Sequence, residues 1–404
     1  MADVLKNILI YGGSFVAVLS LVVFVHEYGH FQAARWRKVA IDTFSIGFGK
    51  KLIGWRDRHG VEWKIGALPL GGYVKFADDL DAMSTAPREQ INDPVAKAEA
   101  RAKGLFHAQS LMTRSIVVAA GPIANFIFSI AAFGLLAFIV GRDTTDINQV
   151  PARIASVLEG SAAAHAGLQS GDIIRAANDA PIASFPQLQE RVGSSIGQEL
   201  ALRIDRNGQT LTLTATPGSR TFNDAEGRAV ERGVLGVSGP LVLESERRVI
   251  RYNPLQAIGV GAQRTWDMVA QTGVYVGSIF AGRESGDQIA GPLGILNVSG
   301  QVASSALSGP ADGGPGGRIG VLALSLLGLA AMLSVAVGIV NLLPIPILDG
   351  GHLLFYAIEG VRGGKPLPAA AQEWAYRAGF AVMASLFLFA TWNDITRHLT
   401  GSQG

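Results

Sequence analysis

The stretch LVVFVHEYGHFQAARWRK, Leu21–Lys38, decides how the rest of the chain is read. It closes an apolar run, Asn7–Val25, that carries no charge, and sets His26, Glu27 and His30 directly after it. Residues four apart share one face of a helix, so the two imidazoles stand side by side with Glu27 next to them. This is the HExxH arrangement, in which two histidines bind zinc and the glutamate acts on water as a base. The competing reading is a polar pair at a helix end, satisfied by its neighbours. Ionisable groups inside a span are costly and by default functional, which favours the metal.

The rest of the chain suits that membrane setting. Of 404 residues, 49% are hydrophobic and only 16% charged, and the mean hydropathy is +0.30. Four segments reach the roughly 20 apolar residues that a spanning helix needs. The expected spans are residues 1–31 with HExxH, 115–141, 319–348 and 374–393, the last flanked by Trp374 and Trp392 as interfacial aromatics. The first run is too long for a signal peptide and no small-residue cleavage site follows it. The 34 basic and 32 acidic residues nearly cancel, so nothing points to a nucleic-acid partner. With no cysteine, any metal must be held by histidine and carboxylate.

Orientation follows from the loops. Residues 31–114 carry 14 Lys or Arg, with Arg35, Arg37, Lys38 and Arg114 next to the membrane, so the positive-inside rule places this loop in the cytoplasm. The N-terminus and the long segment 142–318 then lie outside, which in a bacterium is the periplasm. Residues 258–280 are helical in character, but Arg264 and Asp267 leave too short an uncharged run to span. The region 247–300 is therefore expected to form interfacial amphipathic helices, and 301–318 a linker containing SGPADGGPGG.

A catalytic zinc usually has three protein ligands, and the third must come from the depth of His26. NLLPIPILDGGHLL, Asn341–Leu354, offers Asp349 and His352. Asp349 is the stronger candidate, being the first charge after thirty uncharged residues. It shares a membrane face with His26 only if one span separates them, so the interfacial reading of 258–280 and the metal site support each other. Pro344 and Pro346 break the helix just before it and free backbone groups that only a lined cavity can satisfy. Asn341 and Asn125 are candidate substrate contacts, with packing between helices as the alternative.

These motifs resemble the site-2 protease family of intramembrane zinc metalloproteases, in its bacterial regulator of sigma-E protease branch. The matching residues are HEYGH (26–30), GPIANF (121–126) and NLLPIPILDGGHLL (341–354), supported by SIGFGK and ALPLGGYVKF. The resemblance implies zinc held by His26, His30 and Asp349, with Glu27 as base. It also implies hydrolysis of a peptide bond in or near a transmembrane segment. Single-span proteins already trimmed by another protease would be the substrates, as in anti-sigma factor release or signal-peptide clearance.

Two accessory parts complete the expected architecture, a polytopic four-helix membrane protein. Residues 44–76, within the cytoplasmic region 32–114, alternate apolar and polar residues in two runs and read as a membrane-associated β-hairpin. Gly71, Gly72 and Tyr73 are its candidate substrate contacts, through β-augmentation of an unwound segment. Residues 151–240 resemble one PDZ domain, with GLQSGDII (167–174) its most recognisable part; it would bind peptide or filter substrates by size. The rival functions are a non-catalytic PDZ adaptor with a structural metal, against which Glu27 argues, and a metal transporter, for which the second and fourth spans lack carboxylates.

Overall fold

The computed structural model describes residues 2–77, 93–223, 229–283, 286, 290–308 and 317–400. It divides into two compact units, residues 1–140 with 252–404, and residues 141–251.

In the first unit the apolar run and the HEYGH motif form one helix, α1 (Ala2–Trp36). It stops where Lys38 takes a left-handed φ of 57° and Val39 N–H reaches back to Ala34 O, a Schellman-type end. Two long strands follow, β1 (Ile41–Arg56) and β2 (Glu62–Phe76). Their pairing departs from a plain hairpin. Lys51–Arg56 pairs with Glu62–Gly66 as expected, but Thr43–Ile46 is paired on both edges, with Gly72–Lys75 and with Glu62–Ile65. Both strands thus bend back into a curled sheet, whose buried face holds Phe44, Val61, Val74 and Phe76 against Phe31 of α1 and Val117 and Val118 further along the chain.

A short helix α2 (Pro94–Ala102), capped by Asp93, leads into α3 (Leu111–Val140), which keeps Pro122 inside it. After the second unit the chain returns as α6 (Pro254–Phe280), α7 (Pro292–Ser308), α8 (Gly317–Leu342), α9 (Asp349–Val361) and α10 (Ala369–Thr400). Among the described residues four helices are long and apolar enough to cross a membrane: Leu5–Trp36, Leu111–Val140, Gly317–Leu342 and Ala369–Thr396. The protein is therefore a multi-pass membrane protein. The 27-residue α6 is not one of the four. It lies along the later half of α3, where Gly134 and Gly261 allow close contact, with Arg264 over the Phe133 ring at 4.8 Å.

Several boundaries move: residues 247–251, expected with the interfacial helices, belong to the second unit, the first helix runs on to Trp36 and the second span begins at Leu111. Residues 301–308, expected in a linker, complete α7, which buries Ser299, Gly300, Ala303 and Ala306 while packing on α1 and α8. Residues 317–318 of that linker open α8, and 309–316 lie outside the described residues, as do 78–92 of the loop after β2. The third span, expected over 319–348, ends as a helix at Leu342, and 343–348 form the non-helical turn that the two prolines require.

The second unit is built on period-two patterning. It comprises β3 (Arg142–Asp143), β4 (Ser156–Val157), α4 (Ala162–His165), β5 (Ile173–Ala177), β6 (Ala180–Pro181) and α5 (Phe185–Gly193). It continues with β7 (Leu200–Arg206), β8 (Gln209–Ala215), β9 (Gly218–Asn223), β10 (Ala229–Val234), β11 (Val237–Ser238) and β12 (Val249–Ile250). In β7, Leu200, Leu202 and Ile204 are buried while Ala201 and Arg203 are exposed, as alternation in a half-buried strand demands. Helix α5 turns Phe185, Leu188 and Val192 inwards over a four-stranded sheet ordered β6-β5-β7-β8. Strand β11 pairs with β4, so residues to 238 belong to this unit. Asp172 of GLQSGDII is a structural group here, gripped by Arg206 at 2.7 Å through both oxygens.

Candidate metal centre and active site

Helix α1 turns His26 and His30 towards α3, and the close passage of α3 depends on Gly121. A Cβ at Gly121 would lie 2.3 Å from His30 Nε2 and 3.0 Å from His26 Cε1, so any side chain would displace the imidazoles. Asp349, at the first position of α9, meets them from the other end of the sequence. Its Oδ2 lies 3.2 Å from His26 Nε2 and 3.4 Å from His30 Nε2, and the two Nε2 atoms are 3.2 Å apart. Among the described residues these three form the one group able to hold a metal.

The donor set fits zinc. Tetrahedral ligands at about 2.0–2.2 Å hold their donor atoms about 3.3–3.6 Å apart, close to the sides of this triangle. His30 Nδ1 donates to Val117 O at 2.9 Å, which leaves the Nε2 lone pair aimed at the other two groups. Asp349 Oδ2 is buried with no hydrogen-bond partner among the described residues, and a buried carboxylate oxygen left so is costly unless a cation meets it. His352, the other candidate, lies one turn further on with its ring 6.0 Å from that of Tyr376, outside the triangle.

Glu27 is placed by the sheet. Gly72 lies so close above it that a Cβ there would sit 3.0 Å from Glu27 Cγ and 2.7 Å from Ser45 O. The Ser45 backbone reserves this position for glycine and so lets β2 pass over the glutamate. Alternation then sends Tyr73 to the opposite face, where it stacks on Phe48 at 5.9 Å with Lys64 over its ring; Gly71 also lies against Phe48. Of the three strand residues read as substrate contacts, Gly72 alone is brought to Glu27.

The two asparagines also part company. Asn341, in the last turn of α8, donates to Val337 O at 3.0 Å within its own helix. Asn125 is fully buried, with Nδ2 3.1 Å from His26 Nδ1 and Oδ1 3.1 Å from Ser334 Oγ, so it has no surface to offer a substrate.

Two supports escaped the sequence reading. One is the Val117 carbonyl, a backbone group with no letter of its own. The other is the pair of Arg114, opening α3, with Glu359 on α9: Nη2 lies 2.5 Å from Oε1 and Nη1 3.2 Å from Oε2, and the guanidinium covers the Tyr356 ring at 4.8 Å. It ties the helix that carries Asp349 to the helix against which both histidines pack. A lone acid in the apolar turn GHLLFYAIEG was the signal available.

Comparison with known proteins agrees with this chemistry. The profile of Peptidase family M50 matches residues 14–386. "Putative zinc metalloprotease R01501" of Rhizobium meliloti is 41% identical over 382 residues, covering 95% of each chain. An Agrobacterium fabrum protein with the same description is 40% identical over 382 residues, 95% of this chain and 94% of its own. "Metalloprotease MmpA" of Caulobacter vibrioides is 39% identical over 395 residues, 95% of each. The chain belongs to Peptidase family M50, the site-2 protease family, and is a zinc metalloprotease of a membrane.

Proposed function

We propose that this protein cuts peptide bonds within the transmembrane segments of single-span membrane proteins, with zinc held by His26, His30 and Asp349 and with Glu27 as general base. The observation that carries this reading is the convergence of His26 Nε2, His30 Nε2 and Asp349 Oδ2 within 3.4 Å of one another, next to Glu27 on the same helix. Zinc, when bound, supplies Lewis acidity that activates water and polarises the scissile carbonyl. Glu27 takes the proton from the attacking water and delivers it to the leaving amine nitrogen.

A helical peptide bond is shielded by its own hydrogen bonds, so the substrate must unwind. In this reading the segment of β2 that crosses Glu27 at Gly72 receives the unwound chain by β-augmentation. Asn341 clamps substrate from the turn before Asp349. The zinc site lies near the cytoplasmic face of a bacterial inner membrane, and the N-terminus and residues 151–240 lie in the periplasm, an orientation supported by the 14 basic residues of 31–114. Helix α6 rests at the outer interface. Residues 151–240 act as a PDZ domain that admits substrates only after another protease has trimmed them, as in anti-sigma factor release or signal-peptide clearance.

The rival reading, a PDZ adaptor with a structural metal, needs no base. Glu27→Gln separates the two, with an expected loss of cleavage of about 10²-fold or more and undiminished zinc. Membrane proteomes of cells carrying wild-type or Glu27→Gln protein supply the measurement. Trimmed single-span fragments should accumulate in the variant; identical proteomes would favour the adaptor.

A further inference from the structure

The His26 imidazole raises a question of proton placement. His30 is settled by its partner, because a carbonyl can only accept, so Nδ1 carries a proton and in the neutral, metal-binding ring Nε2 is bare. His26 Nδ1 instead faces the side-chain amide of Asn125. With the amide nitrogen towards the ring, as placed, Nδ1 must accept, and the His26 proton then sits on Nε2, pointing at Asp349 and the bare nitrogen of His30. A ring in that tautomer cannot ligate through Nε2.

The oxygen and nitrogen of an amide are interchangeable until the hydrogen-bond network assigns them. Rotated by half a turn, Asn125 places Oδ1 where it accepts from His26 Nδ1–H, and Nδ2 where it donates to Ser334 Oγ at 3.1 Å. The Ser334 hydroxyl still has its own acceptor, Asn125 O at 3.1 Å. Ser129 Oγ donates to Asn125 O at 2.9 Å or to Ala331 O at 2.9 Å, so it remains paired in either arrangement. All three residues are fully buried, where an unpaired polar group is expensive. The rotated network leaves no two donors facing each other.

We infer that Asn125 is a positioning residue of the metal site: its side-chain oxygen, oriented by Ser334, accepts the His26 Nδ1 proton and so keeps Nε2 free to bind zinc. This rests on the proposal that His26 is a zinc ligand. Partners of this kind set the tautomer and ring orientation of metal-bound histidines, and their loss typically costs about 10–100-fold in metal affinity. The two histidines are thus held by different means, His30 by a carbonyl of α3 and His26 by a side chain about two turns further along the same helix. Only the second can be changed by mutation without touching the backbone.

The test measures zinc affinity of the full chain in nanodiscs by chelator competition, together with the zinc-induced shift in melting temperature of each variant against its own metal-free form. Asn125→Leu keeps the shape and removes the acceptor, and should weaken zinc about 10–100-fold. Asn125→Asp keeps the acceptor, cannot donate, and should restore affinity to within a few-fold of wild type. Affinity unchanged in Asn125→Leu, or lost equally in Asn125→Leu and Asn125→Asp, would overturn the inference. Should Asn125→Leu not fold, Ser334→Ala carries the test, since the amide loses the group that orients it; a weakened but folded site supports the inference and an unchanged one overturns it. His26→Ala guards the premise. If it still binds one zinc with wild-type affinity, both the ligand assignment and this inference fail, whereas zinc lost in His26→Ala but unaffected in Asn125→Leu defeats the inference alone.

Discussion

The two units of this chain fill their interiors with a different balance of residues. In residues 141–251 the largest fully buried side chains are all aliphatic: Ile154, Ile174, Leu188, Leu200, Leu202 and Ile204. In the helical unit Val117 and Val335 share the innermost positions of α3, α7 and α8 with small or polar residues, Asn125, Ser129, Ala330, Ala331, Ser334 and Ser299, while Phe387 and Leu388 of α10 face outwards. Lipid is as apolar as leucine, so burying leucine in a bundle gains little from the hydrophobic effect. Close backbone approach and satisfied polar groups hold such helices together instead. A metal site of histidine and carboxylate is at home in that interior, because its supporting hydrogen bonds are of the kind the bundle already uses.

That contrast can be broken residue by residue. Glu359→Ala should have the largest effect on stability, about 3–5 kcal/mol, because it leaves the Arg114 guanidinium buried without its partner. Thermal unfolding in detergent, read with zinc content, should report both a lower melting temperature and a loosened metal as α9 slips. Leu202→Ala should cost about 2–5 kcal/mol, confined to the second unit. Amide hydrogen exchange of the whole chain should lose protection across β5, β7 and β8, with zinc retained.

The remaining effects are smaller and opposite in kind. Hydrogen bonds from Arg153 hold Glu246 down at about 2, against an ordinary value of 4.5. A carboxylate depressed in the folded state contributes stability that is full above its ordinary value and is lost as pH falls towards about 2. The pair is partly solvent-exposed, so the loss should be at most about 1 kcal/mol, visible as a pH-dependent melting of the second unit that Glu246→Gln abolishes. Leu388→Ala, on a helix face turned away from the bundle, should change stability by less than about 0.5 kcal/mol. A large loss there would mean that α10 packs on a partner.

What could be read from the sequence follows the same division. The four spans, the HExxH helix and Asp349 were legible because charge and its absence are strong signals in an apolar chain. The boundary of the supposed linker was misplaced for the converse reason. QVASSALS, 301–308, looks like a flexible connector by composition, yet small residues are what a helix needs to pack closely on α1 and α8. Tyr73 was grouped with Gly72 because they adjoin in sequence, whereas strand parity separates them. The double pairing of Thr43–Ile46 and the Arg114–Glu359 contact join residues far apart, and nothing in a single chain records such partners.

The central claim is that one zinc at His26, His30 and Asp349, with Glu27 beside it, cuts inside a membrane span. Purified full-length protein in nanodiscs, given a trimmed single-span substrate, allows the cut to be mapped by mass spectrometry while zinc is counted in the same sample. The account predicts cleavage within the apolar span by the wild type, and none by Glu27→Gln protein that still holds one zinc. Equal cleavage by Glu27→Gln, or a cut only in the substrate's water-exposed flanks, would contradict it.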